Sequence, residues 1–187
     1  MVVFLAGEPS AWVRRWQPLI RPGGTVLDLA CGSGRHLRWL VRQGLVLTGV
    51  DRDEAAVASL RDQAEIIVAD IEGGPWPLAG RRFDAVVVTN YLWRPLLARI
   101  VDSVADGGTL IYETFADGQQ TVGRPSRPDF LLQPGELIGR CAGLRIVAYE
   151  DGFLDGPPRF LQRVAAVRPA AGASGPARHA LTPPAAP

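Results

Sequence analysis

The sequence predicts an α/β fold: a mostly parallel sheet of seven strands, one of them antiparallel, with helices on both faces. Three observations predict it. Apolar runs of strand length alternate with segments of helical periodicity. Those runs are apolar at nearly every position, as strands covered on both faces must be. The last two runs are joined by a loop with no helix between them, which is how a hairpin adds one antiparallel strand.

The elements follow in chain order. Ser10–Ile20 reads as an amphipathic helix with Trp12, Val13, Trp16 and Leu19 on one face; it covers the sheet or acts as a lid. The turn Pro22-Gly-Gly introduces a buried strand, Thr25–Ala30. A helix over Arg35–Gln43 carries Leu37, Leu40 and Val41 at i, i+3, i+4 spacing, and Gly44 ends it. Leu45–Val50 is the second strand. Asp53 caps a helix through Gln63 with Ala56, Val57 and Leu60 inward. Glu65–Ala69 and Phe83–Thr89 are the third and fourth strands. Leu92–Val104 is helical, with Pro95 early enough to be tolerated. Asp106-Gly-Gly turns into a fifth strand, Thr109–Phe115. The long loop Ala116–Gln133 is placed to fold over a pocket as a lid, bringing Phe130 and Leu131 with it. A helix Pro134–Cys141 leads to strands Leu144–Glu150 and Arg159–Val167. From Pro169 the composition turns to Pro, Ala and Gly, so residues 1–168 form one domain and 169–187 a disordered tail.

Composition narrows the function. A chain of 187 residues, 47% of them apolar, supports one full core. Its net charge of +1 argues against attachment to nucleic acid by bulk charge. All basic residues are arginine, which excludes a lysine Schiff base and a P-loop lysine. Cys31 and Cys141 make no disulfide framework, so a reduced, cytoplasmic protein is expected. No metal site is expected, neither cysteine having a partner at zinc-ribbon spacing. No run is long enough to span a membrane, and Met1–Ala6 lacks the features of a signal peptide.

In parallel α/β sheets the ligand sits beyond the carboxyl ends of the strands. The first tip is Asp28-Leu-Ala-Cys-Gly-Ser-Gly-Arg-His36, whose Gly32 and Gly34 permit a tight turn and close ligand approach. Asp51 follows the second strand, placed to accept from two ribose hydroxyls. Asp70 follows the third, placed to accept from the exocyclic amine of an adenine with Ile71 beneath the ring. Leu37 stands where a dinucleotide fold needs its third glycine, and Asp28 would attract an ammonium and repel a pyrophosphate.

Asp28–His36 resembles the AdoMet-binding signature of class I S-adenosylmethionine-dependent methyltransferases, with a Rossmann-like fold. Val50-Asp51-Arg52 resembles their ribose position, Val68-Ala69-Asp70-Ile71 their adenine position, and Asp106-Gly-Gly-Thr-Leu-Ile-Tyr112 the approach to their fifth strand. Gly-Ser-Gly-Arg-His and the compact size resemble small bacterial enzymes of the tellurite-resistance type. The resemblance implies S-adenosyl-L-methionine as cofactor. It implies cofactor contacts from Asp28, Ala30, Cys31, Gly32, Ser33, Gly34, His36, Asp51, Arg52, Asp70, Ile71 and Asn90.

Asn90, Tyr91 and Glu113 are the catalytic candidates. Asn90-Tyr-Leu-Trp93 stands where amine-modifying members carry Asn/Asp-Pro-Pro-aromatic, without the prolines; Asn90 orients an acceptor or satisfies backbone. Tyr91 or Trp93 stacks on the acceptor or lies against the sulfonium, and Trp93 alternatively packs as core. Glu113 is a general base, a solvated surface glutamate or an arginine partner, and Arg94, Arg124 and Arg127 bind an acidic substrate, stand solvated or pair with carboxylates. The expected activity is methyl transfer to a small molecule by a monomer or homodimer, without nucleic acid or membrane. The rivals are a tRNA or rRNA methyltransferase and an AdoMet-binding module without turnover.

Overall fold

The computed structural model describes residues 7–172, 175 and 177–181. Met1–Ala6 and residues 173–174, 176 and 182–187 lie outside the described residues, and so do the expectations for Met1–Ala6 and for those parts of the tail. The described residues of the tail carry neither helix nor strand.

Seven strands form one sheet: β1 (Thr25–Leu29), β2 (Val46–Asp51), β3 (Glu65–Val68), β4 (Phe83–Thr89), β5 (Val104–Phe115), β6 (Arg145–Asp155) and β7 (Pro158–Val167). Their order is β3-β2-β1-β4-β5-β7-β6, and β7 is antiparallel to both neighbours. The strands are apolar because both faces are covered. On one face α1 (Ala11–Trp16), α2 (Arg35–Val41) and α3 (Glu54–Val57) bury Trp12, Val13, Trp16, Leu37, Leu40 and Val57 against Val26, Val87, Ile111 and Ala165. On the other, α4 (Leu97–Asp102) and α5 (Glu136–Arg140) bury Leu97, Ile100 and Leu137 against Leu27, Val86, Leu110 and Tyr112. Among the described residues no helix is long and apolar enough to cross a membrane.

Three departures from the expected elements matter for the site. The segment Leu92–Val104 starts as a 3-10 turn, Arg94–Leu96, with Pro95 in its first turn where it is tolerated, and only then becomes α4. The Asp106-Gly-Gly turn lies inside β5 as an irregularity, where pairing with β4 shifts between Phe83 and Ala85. β6 continues to Asp155, five residues beyond the expected Glu150, since Gly152, Phe153 and Leu154 keep pairing with β7. The resulting hairpin projects past the sheet, held by Phe153 against Phe160 at 4.8 Å.

The loop after β5 is not a free lid. Leu131 is buried with Phe115 and Leu161, and Arg94 donates to the Asp129 and Leu131 carbonyls while pairing bidentately with Glu136. That leaves Arg94 no free donor edge for a substrate. Its guanidinium holds the Glu136 carboxyl down at about 2. Arg127 pairs with Asp129 and lies over Phe130.

Candidate functional site

Chain order reverses at β1, which has β2 on one side and β4 on the other, so a crevice opens between the β1 and β4 tips. Asp28 lies opposite Gly49 in the β1–β2 pairing and Asp51 opposite Val68 in the β2–β3 pairing, which sets the tips carrying Asp28, Asp51 and Asp70 side by side. Two non-glycine residues in the left-handed region mark its rim: Ala30 (φ 54°) beyond β1 and Asn90 (φ 56°) beyond β4. Such strain persists only where the surroundings impose it. A cavity of about 160 Å³ opens there, lined by Ala30, Asp51, Arg52, Ala69, Asp70, Ile71, Glu72 and Tyr91.

The turn between β1 and α2 is built by close approach. Gly49 on β2 has no side chain because a Cβ would come within 2.7 Å of Leu37 and 3.1 Å of Cys31, so the turn rests directly on the strand. Gly32 holds φ +52° with open space above it. Its N–H donates to Asp51 Oδ2 at 2.7 Å, and Asp53 N–H donates to Oδ1 at 3.0 Å, which fixes the carboxylate while leaving further lone pairs free. Asp70 Oδ1 accepts from the Glu72 and Gly73 N–H groups, and these hold its carboxyl below the usual range.

Asp28 is the anomaly. It is 1% exposed, and its Oδ2 has no hydrogen-bond partner. Burial pushes its carboxyl up to about 7, against the pull of Arg35 and with the help of Asp51. His36 Nδ1 stands 3.9 Å away, too far to bond, and burial drives that imidazole down to about 3, so it stays neutral. His36 Nε2 accepts from Ser10 N–H, which leaves the ring proton on Nδ1.

The remaining candidates separate into those at the cavity and those behind it. Ala30, Asp51, Arg52, Asp70, Ile71 and Tyr91 line it. Cys31 and His36 are buried behind the turn, Gly34 caps α2, and Ser33 and Asn90 are exposed. Burial, with the charges on Asp28 and Asp51, pushes the Cys31 thiol up, so it is no nucleophile. The Tyr91 hydroxyl is buried without a partner and, through burial and the Glu72 charge, stays a neutral phenol. Its backbone carbonyl accepts from Tyr112 OH at 2.7 Å, which props the β4 tip from below.

Of its expected roles, Glu113 takes that of arginine partner and not that of base. It faces the α1 layer, 1% exposed; Oε1 accepts from Ser10 Oγ at 2.8 Å and Oε2 pairs with Arg163 at 3.2 Å. Arg163 continues to Glu150 and lies 4.8 Å over the Trp12 ring. Ser10 also caps α1 through Trp12 N–H, so one residue joins helix, strand and turn. Sequence reading missed Ser10 and Arg163 in this role because their partners lie 103 and 50 residues away from them. Ala69 and Glu72 were missed as lining residues, although each adjoins or nearly adjoins Asp70.

A larger cavity, about 500 Å³, opens at the opposite end of the strands, between Thr25, Leu45–Thr48, Gln63–Glu65 and Arg81–Phe83. Its charged groups are already paired, Arg81 with Glu65 and Arg82 with Asp106, and Thr48 bonds the Glu65 carboxylate. Size notwithstanding, the strand tips hold the strained backbone and the unpartnered carboxylate.

The donor set fits AdoMet. Asp28 supplies a buried negative charge for an ammonium, Asp51 retains acceptors for vicinal hydroxyls, and Gly32 leaves the space a ligand backbone needs. No group of side chains able to hold a metal is found among the described residues.

Residues 26–108 match the family described as "methyltransferase domain". A ribosomal protein L11 methyltransferase of Thiobacillus denitrificans is 35% identical over 119 residues, 60% of this chain and 40% of that one. The chain thus spans about two-fifths of the length of this curated relative. Among solved structures, TehB from Haemophilus influenzae superposes with a TM-score of 0.68 at 21% identity, covering 86% of this chain and 62% of that one. A TehB-like SAM-dependent methyltransferase from Corynebacterium glutamicum gives 0.64 at 20% identity, covering 88% and 91%.

Proposed function

We propose that this chain, whose fold and matched segment are those of the class I AdoMet-dependent methyltransferases, transfers a methyl group from AdoMet to a small-molecule acceptor. The unpartnered, buried Asp28 carboxylate beneath a glycine turn, with Asp51 and Asp70 on the next two tips, is the observation that carries this reading. Bound AdoMet supplies a sulfonium-activated methyl carbon, which bonds to the acceptor's lone pair as the carbon–sulfur bond breaks and leaves its electrons on sulfur.

The chain's own residues hold and orient. Asp28 is the counter-charge of the ammonium, Asp51 takes the ribose hydroxyls, and Asp70 with Ile71 takes the adenine edge and face. Asn90 and Tyr91 border the acceptor side, Asn90 presenting its amide and Tyr91 a neutral hydroxyl. Glu113 is a positioning residue: through Ser10 it fixes the N-terminal helix and His36, which stands behind Asp28. The acceptor's proton, where there is one, leaves to water, since alignment of the reactants supplies most of the rate. A small acceptor is supported by the modest cavities at this edge and the net charge of +1. A ribosomal protein or RNA acceptor is the second reading, favoured only by the names of partial-length relatives.

Calorimetry with S-adenosylhomocysteine (AdoHcy) tests this. Micromolar binding is expected. Asp51→Ala removes charge-assisted bonds to two hydroxyls and weakens it about a hundredfold. Gly32→Val forces a β-branched residue into left-handed backbone, at roughly 1–2 kcal/mol, and fills the crevice, so binding disappears. Unchanged binding by Gly32→Val overturns the reading. Tight AdoHcy binding without acceptor-dependent turnover points instead to a binding module.

A further inference from the structure

A second cavity, about 230 Å³, opens at the same edge of the sheet, between the turn Gln119–Thr121 with its continuation to Arg124 and the start of β7. Phe115 ends β5 and Arg159 is the second residue of the antiparallel β7, so both lie at the end of the sheet that carries the strand tips. We propose that this cavity seats the methyl acceptor and that the acceptor is an organic acid, its carboxylate held by Arg159 with Arg124; this rests on the methyltransferase reading above.

Three observations support it. Arg159 Nε is buried without a hydrogen-bond partner. Among the described residues neither Arg159 nor Arg124 forms an ion pair, whereas Arg94, Arg127 and Arg163 all do. Leaving that buried N–H unsatisfied costs stability unless a ligand completes it. Arg35, at the start of α2, stands within the field of Arg159: burial and the Arg159 charge lower its guanidinium, while the Glu113 and Asp28 charges raise it.

The cavity is preformed. Gln119 is 3% exposed; its Oε1 accepts from Phe160 N–H at 2.9 Å and its Nε2 donates to the Arg124 carbonyl at 3.2 Å, tying the loop to β7. Apart from the arginines, its walls are largely apolar, with Phe115, Val122, Pro157 and Pro158. A cavity of about 150 Å³ suffices for benzene, so a ring or short chain bearing a carboxylate fits. The planar guanidinium fork matches a carboxylate, and an apolar lining disfavours the heavily hydrated dianion of a phosphate.

The test titrates benzoate, its uncharged isostere benzamide, and phenyl phosphate into the full chain saturated with AdoHcy, followed by ligand-observed NMR. Saturable benzoate binding is expected, absent with benzamide, weakened about tenfold or more by Arg159→Gln and less by the exposed Arg124→Gln. Val122→Trp, at a 41% exposed position, fills the cavity while both arginines are retained and must also abolish it. Benzoate binding that ignores Arg159→Gln, equal binding of benzamide, preference for phenyl phosphate, or no saturable benzoate binding while AdoHcy still binds each overturn the proposal. Loss of AdoHcy binding in the unaltered chain overturns the methyltransferase reading instead.

Discussion

Asp28→Asn is expected to stabilise the ligand-free protein at pH 8 and to weaken AdoHcy binding by ten- to a hundredfold. Burial raises this carboxyl from 3.8 to about 7. A folded-state value above the unfolded one means that the folded chain holds more protons between about pH 4 and 7, so stability from this group falls as pH rises through that window. The loss is complete above pH 7 and amounts to about 4 kcal/mol, or roughly 10 °C in Tm for a chain of this size. His36, held neutral down to about 3, has the opposite slope, losing stability as pH falls below 6.5. The difference between the Tm values of variant and parent is therefore the quantity to follow across pH. It should be near zero at pH 4 and largest at pH 8, and a flat difference contradicts the account. A cationic ligand reverses the cost, because an ammonium beside Oδ2 restores the partner that burial removed. AdoHcy affinity in the parent protein should accordingly rise with pH up to about 7.

Arg163→Met should cost about 3–5 kcal/mol, the usual result of leaving one charge of a buried pair alone, and lower Tm by roughly 6–20 °C. Glu113 is the charge left behind, 2% exposed in its side chain, with Ser10 as its one remaining partner. Combining Arg163→Met with Glu113→Gln removes both charges and should recover much of the loss. Thermal melts of the two single variants and the double variant decide the matter. Equal, additive losses would show that the pair is not coupled. The same set addresses function: Glu113→Gln is expected to retain turnover within a few-fold while folded, whereas a general base would lose a hundredfold or more.

The parts of this protein that were legible in the sequence are those with local causes. Strand positions followed from apolar runs such as Ala85–Val88, because a strand buried on both faces has no polar alternation to blur. The glycine turn was legible for the same reason: Gly32 needs left-handed backbone wherever the chain leads afterwards. So was the N-cap at Asp53, whose carboxylate accepts from Ala56 N–H. The elements that were misjudged depend on distant partners. β6 outran its expected end because β7 keeps pairing with it. The loop after β5 was expected to close over the pocket, yet Arg94 and the cluster of Phe115, Leu131 and Leu161 pin it down.

By itself, then, the sequence determined the α/β architecture, the three acidic strand ends and the cofactor class they resemble, since each is encoded in a few consecutive residues. Only the tertiary structure decided which charged groups are spent and which are unspent. Glu113 is consumed by Arg163 and Ser10, Arg94 by Glu136, while Asp28 and Arg159 keep buried polar atoms without partners. The physical reason is that a charge takes its energy and its role from whatever surrounds it in space, and residues far apart along the chain supply those surroundings.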